Sequence, residues 1–144
     1  MLPKRFIGLS TAALLACYAV QPAAYAASAD APKAFFINLK DGDTVTSPVK
    51  ISFGLSGMKV APAGTNTPNT GHFHVLIDTQ LTPEEAQSAI PKDDQHLHFG
   101  KGQTDATLTL TPGEHTLQLV MGDGNHMLHK PPVESAVIHV TVKP

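Results

Sequence analysis

The sequence predicts an all-β fold, an immunoglobulin-like antiparallel β-sandwich of about seven strands with one short helix in a loop. Three observations carry that reading. Five segments alternate apolar and polar residues with the period of a half-buried strand, and a sixth is a short apolar-rich run. The stretches between them are rich in glycine and proline, of which the chain holds 11 and 12. Only one segment carries helix-start signals.

Each element has a local reason. Residues 34–39 form an apolar-rich run closed by Lys40-Asp41-Gly42-Asp43, a strong turn signal. In residues 49–55, Val49, Ile51, Phe53 and Leu55 share the face expected to be buried. Residues 61–70, with Pro62, Gly64 and Pro68, read as a loop. In residues 72–78, Phe73, Val75 and Ile77 face one way while His72, His74, Leu76 and Asp78 face the other. Thr82-Pro83-Glu84-Glu85 combines an N-cap threonine, a first-turn proline and a glutamate three residues on. This capping box starts a helix of about two turns, which Pro91 stops. Residues 107–110 continue the strand pattern through Leu108 and Leu110, and Pro112-Gly113 turns into residues 115–121, where Leu117, Leu119 and Met121 share a face. The last strand, residues 137–142, buries Ile138, Val140 and Val142 and leaves His139 outside.

The N-terminus reads as a signal peptide over residues 1–26, followed by a single domain over 27–144. Lys4 and Arg5 precede an apolar stretch over residues 6–20, and Ala24-Tyr25-Ala26 supplies the small-x-small cleavage pattern. The apolar stretch is too short for a stable membrane span. Leu14-Leu15-Ala16-Cys17 also resembles a lipoprotein processing box that would anchor Cys17 to lipid, but the Ala-x-Ala pattern favours ordinary secretion. Both readings place the protein in the periplasm or outside the cell. Cys17 is the only cysteine, so the domain has no disulfide, no thiolate metal site and no cysteine nucleophile. It must be held by its core. Eight basic and twelve acidic side chains follow residue 26. That mild negative charge, without basic runs, excludes a nucleic-acid partner.

The chemistry lies in the histidines. Eight are present, and six fall in three close groups: His72 with His74, His96 with His98, and His126 with His129. An H-x-H pair on a strand puts both rings on one side, and neutral imidazole is the commonest metal-ligating side chain. Because Phe73, Val75 and Ile77 fill the core, His72 and His74 are expected to point away from it, into solvent or a surface cleft. In a sandwich of this type the B–C and F–G loops meet at one end. With residues 72–78 as strand C and 115–121 as strand F, His72 lies beside the F–G loop that carries His126 and His129. His98 joins them if it sits on a short strand returning to that end, and His96 is the weaker member of its pair.

The expected metal ligands are therefore His72, His74, His98, His126 and His129. Imidazole-only sets suit copper, zinc or nickel, and Cu(II) binds most tightly, so copper comes first and zinc second. Met58 and Met127 would be soft ligands for Cu(I), against a reading of plain packing. Asp78, Asp123 and Asn125 could orient a ligating ring, although Asp123-Gly124-Asn125 is also an ordinary turn sequence. His115 and His139 receive no functional role, His115 reading as a partly buried, hydrogen-bonded residue.

The runs at residues 57–64, 71–78 and 98–104, with 112–119, 122–126 and 129–135, together resemble an exported bacterial family known as domain of unknown function 4399 (DUF4399). The resemblance covers roughly residues 35–142. That family often carries three consecutive histidines where this chain has His72-Phe73-His74, and the middle one would point inward. The resemblance implies an exported location but no activity. A weaker likeness to copper–zinc superoxide dismutase, another sandwich with an H-x-H strand, lacks that family's cysteine pair and zinc loop, so its activity is not carried over.

Three functions compete. The first is a periplasmic metal-binding module, for copper buffering or delivery. The second is a structural or interaction module whose end loops bind a protein partner or cell-wall glycan. The third is a metalloenzyme. The chain has no nucleophile-with-base motif, paired-carboxylate motif or phosphate loop, so redox chemistry at an open copper site is the one enzymatic option.

Overall fold

Residues 31–144 are described by a computed structural model. The expected signal peptide at 1–26 and Cys17 lie outside the described residues. Nine strands form: β1 (Lys33–Phe36), β2 (Asp43–Val45), β3 (Val49–Ser56), β4 (Lys59–Val60), β5 (Thr70–Ile77), β6 (His96–His98), β7 (Asp105–Leu108), β8 (Gly113–Gly122) and β9 (Ile138–Val142). One sheet has the order β1-β3-β7 and the other β2-β9-β8-β5-β4, with β6 also paired to β5. Strand β2 runs parallel to β9, while β8 is antiparallel to both β5 and β9. This is an immunoglobulin-like sandwich, with β3, β5, β8 and β9 in the places of strands B, C, F and G.

The alternating residues fill the space between the sheets. Ile51 and Phe53 from β3 meet Phe73 and Val75 from β5, Leu117, Leu119 and Met121 from β8, and Val140 and Val142 from β9. Phe53 anchors the layer, its ring centroid 5.0 Å from that of Phe73 and 5.2 Å from that of Phe99. Phe73 thus uses the inward position expected of it.

The outer face of the larger sheet is not bare. Leu76 of β5 and Val120 of β8 form a second apolar cluster with Ile90 and Leu128, and Leu81 and Ala86 pack against it. Residues 78–95 and the 123–135 connection therefore roof this face. The expected helix is reduced to one 3-10 turn, Glu85–Gln87. Its capping box still forms: Thr82 N–H donates to Glu85 Oε2 at 2.8 Å, and Glu85 N–H donates to Thr82 Oγ1 at 3.2 Å. The helix ends early because Ser88 is extended and Ala89 bridges to Met127, which docks the chain on the roof before a second turn can form. Among the described residues no helix is long and apolar enough to cross a membrane.

Candidate metal centre

Four histidines meet on the roofed outer face. In the β5–β6 ladder His74 lies opposite His98, and in the β5–β8 ladder His72 lies opposite Gly122, where β8 ends. Strand alternation brings His72, His74 and His98 to one face. His126 arrives from the connection after β8. Three loops tie this end together: Gly64 N–H donates to the Gly124 carbonyl at 2.8 Å, and Ala63 N–H to the Gly100 carbonyl at 2.9 Å. The B–C and F–G loops thus do share an end, and β6 supplies the short returning strand that His98 requires.

The loop carrying His126 is built to present it. Asp123 Oδ1 accepts the backbone N–H of Asn125 at 2.8 Å and of Met127 at 2.9 Å, and the Asp123 carbonyl accepts that of His126 at 2.9 Å. His126 sits in the left-handed region at φ 65°, which is uncommon for a residue with a Cβ and is held only where surroundings impose it. Its carbonyl is clamped by Ile90 N–H at 2.8 Å. Asp123 is therefore a turn former.

The rings are in contact. His72 lies with its centroid 5.0 Å from His98 and 4.9 Å from His126, and His98 and His126 are 4.7 Å apart. His98 Nε2 and His126 Nε2 are 3.1 Å apart, as are the Nε2 atoms of His72 and His74. His72, His98 and His126 each offer a nitrogen within 4.8 Å of the other two. Nitrogens bound to one tetrahedral ion at 2.0–2.1 Å would lie about 3.3 Å apart, so only small ring movements separate this group from a coordination set. His74 lies outside the group of three, its centroid 6.0 Å from His126.

Burial goes beyond the expected pair facing solvent or a surface cleft. His72 and His74 do point away from the core, but both are 0 % exposed because the roof covers them. His98 and His126 remain partly exposed and form the open side. Burial, reinforced by the neighbouring histidines His126 and His98, lowers the His72 pKa to about 4. Burial and then His72 and His98 lower that of His74 to about 3. Burial, with His126 and Lys92, also lowers that of His98. These rings are neutral near pH 7, the form in which imidazole binds metal. Nδ1 of His72 and of His74 is buried with no hydrogen-bond partner among the described residues.

Two glycines make the room. A Cβ on Gly122 would stand 2.9 Å from His74 Nε2 and 3.4 Å from His126 Cα, and a Cβ on Gly100 would run into the His98 ring.

His129 does not join the cluster. Its Nε2 lies 2.9 Å from where a Cβ of Gly71 would stand, beside the core residue Met121. Gly71 precedes His72, so that position is on the opposite face of β5. The F–G loop carries both His126 and His129, but it bends back at Leu128, which bridges to Gly122, so the two rings part. Met58 packs against the core and Met127 bridges to Ala89, and neither belongs to the group. Asp78 orients His115, accepting from its Nδ1 at 2.7 Å, while His115 Nε2 meets the Thr111 carbonyl at 2.9 Å. His139 pairs with Asp41 at the surface.

The sequence model of one family, described as a domain of unknown function (DUF4399), matches residues 51–143. The chain belongs to that family. No curated protein and no solved structure matches it.

Proposed function

We propose that this DUF4399 domain is an exported metal-binding module, working in the periplasm, whose ion is held by His72, His98 and His126 with His74 beside them. The observation that carries the reading is the convergence of four imidazoles, two of them wholly buried, with nitrogens as close as 3.1 Å. Burying a polar nitrogen without a partner costs about 1–3 kcal/mol, and an ion bound by the folded state offsets that cost. An all-imidazole set favours copper, with zinc second. The open side at His98 and His126 suits reversible loading, and hence buffering or delivery. Burial argues against the interaction-module reading, since His72 and His74 have no surface to offer a partner.

The test is elemental analysis of exported protein purified without an affinity tag, followed by Cu(II) and Zn(II) titration of the metal-free form. The His98→Ala/His126→Ala variant removes the two partly exposed rings, so its circular dichroism should match the parent while its ion affinity falls at least about a hundredfold. A variant that binds both ions as tightly as the parent would sink the reading.

A further inference from the structure

His96 is a fifth imidazole on this face, and the three-residue group does not use it. It is 6 % exposed and lies on β6 opposite Leu76, two residues before His98 and on the same face. It is therefore the diagonal cross-strand neighbour of His74, and such neighbours are about 7–8 Å apart at Cα, within reach for ring side chains. His96 Nδ1 donates to Asp93 Oδ1 at 2.8 Å, and that hydrogen bond holds the Asp93 carboxyl below its usual range. A carboxylate on one ring nitrogen fixes the tautomer and leaves a lone pair on the other, the arrangement that orients metal-ligating histidines. His96 Nε2 is the nitrogen left over, buried and without a partner.

His74 is the matching spare donor. It is 0 % exposed, stands outside the group formed by His72, His98 and His126, and its Nδ1 is buried without a partner. Among the described residues its one polar contact within 3.5 Å is the Nε2–Nε2 contact to His72. An ion bound through His72 Nε2 would replace that hydrogen bond and leave His74 to another ligand. A tetrahedral ion has four places, so five imidazoles exceed what one such ion can use.

We propose that His74 and His96 form a second cation position beside the first, so that the basin takes two transition-metal ions of the copper–zinc class. Asp93 acts as the positioning residue of the second. The inference rests on the metal-binding reading above, and ion stoichiometry separates the two.

The experiment is equilibrium dialysis of the metal-free protein against Zn(II), and separately Cu(II), with ions per chain counted by elemental analysis. The parent should hold two. His96→Gln should hold one, with the affinity of the tighter ion unchanged. Asp93→Asn alters an exposed residue and guards against a folding defect at His96; it should weaken only the second ion, by about 10–100-fold. One ion in the parent would overturn the second position and leave the metal-binding reading standing, while none would overturn both. Two ions retained in His96→Gln, or an unaltered second ion in Asp93→Asn, would remove His96 or Asp93 from the assignment.

Discussion

Gly122 shows how far one missing methyl group determines the site. It faces His72 across the β5–β8 ladder, and a Cβ there would press on His74 Nε2 at 2.9 Å and on the ring's Cδ2 at 3.3 Å. Its φ is not in the left-handed region, so alanine meets no backbone penalty and the whole effect falls on the histidines. Gly122→Ala should keep the sandwich and lower ion affinity by at least about tenfold, because His74 stands 3.1 Å from His72 Nε2 and passes its displacement to that ring, and ligating rings tolerate displacements of only about 0.5 Å. Calorimetric titration beside a thermal melt measures both. Unchanged affinity would mean that the rings around Gly122 do not hold the ion. His126 makes the complementary point from the loop, where a left-handed φ of 65° on a non-glycine residue is kept because it brings a fourth ring over the other three.

At the scale of elements, β5 carries two of the four rings, β6 one and the post-β8 connection one, so the site depends on how the roof fixes that connection. Ile90 does so twice, through its N–H to the His126 carbonyl at 2.8 Å and through its side chain packed among Leu76, Val120 and Leu128. Ile90→Ala should destabilise the domain by about 2–5 kcal/mol, as buried aliphatic truncations do, and speed amide exchange in residues 123–128 before the rest. Exchange that quickens uniformly would show that the roof is not a separate unit. The five alternating segments were legible because period-two patterning records which face is buried, and β1 was legible from its apolar run and the turn that closes it. The short strands β2, β4 and β6 were not, since two or three residues carry no period. The roof was half-written in the sequence: Leu76 and Val120 occupy outward positions, and large apolar residues there signal a covered face. For the site, alternation put His72 and His74 together and loop topology brought His126 to them, with His98 conditional on β6. His129 lies apart from these rings, because spacing in an irregular connection says nothing about the side of β5 on which the chain passes.

For the whole molecule, the histidines give folding stability a definite pH dependence. An unfolded histidine titrates near 6.5, whereas folding lowers His72 to about 4 and His74 to about 3. Between those values the unfolded chain binds more protons, so the stability these two contribute is full above about pH 6.5 and is lost as pH falls through the window below it. His115 acts in the opposite sense. Its hydrogen bond to Asp78, with that to the Thr111 carbonyl, raises its pKa, so its contribution is full below about pH 6.5 and disappears as pH rises through the raised value. Two buried rings outweigh one at the sheet end, and the metal-free protein should lose thermal stability steadily from about pH 6.5 toward about pH 4. An ion at a hundred times its dissociation constant adds about 2.7 kcal/mol, which for a domain of this size raises the melting temperature by about 10 °C. Because burial already keeps His72 and His74 neutral, protons compete with the ion less between pH 7 and pH 5 than they would for exposed imidazoles, and that rise should persist at pH 5. Melting curves at pH 7, 6, 5 and 4, each with and without Zn(II), measure both effects. A metal-free melting temperature that holds constant down to pH 4 would contradict the burial of neutral imidazoles, and an increment that vanishes by pH 5 would show that ligands other than the buried His72 and His74 decide how protons compete with the ion.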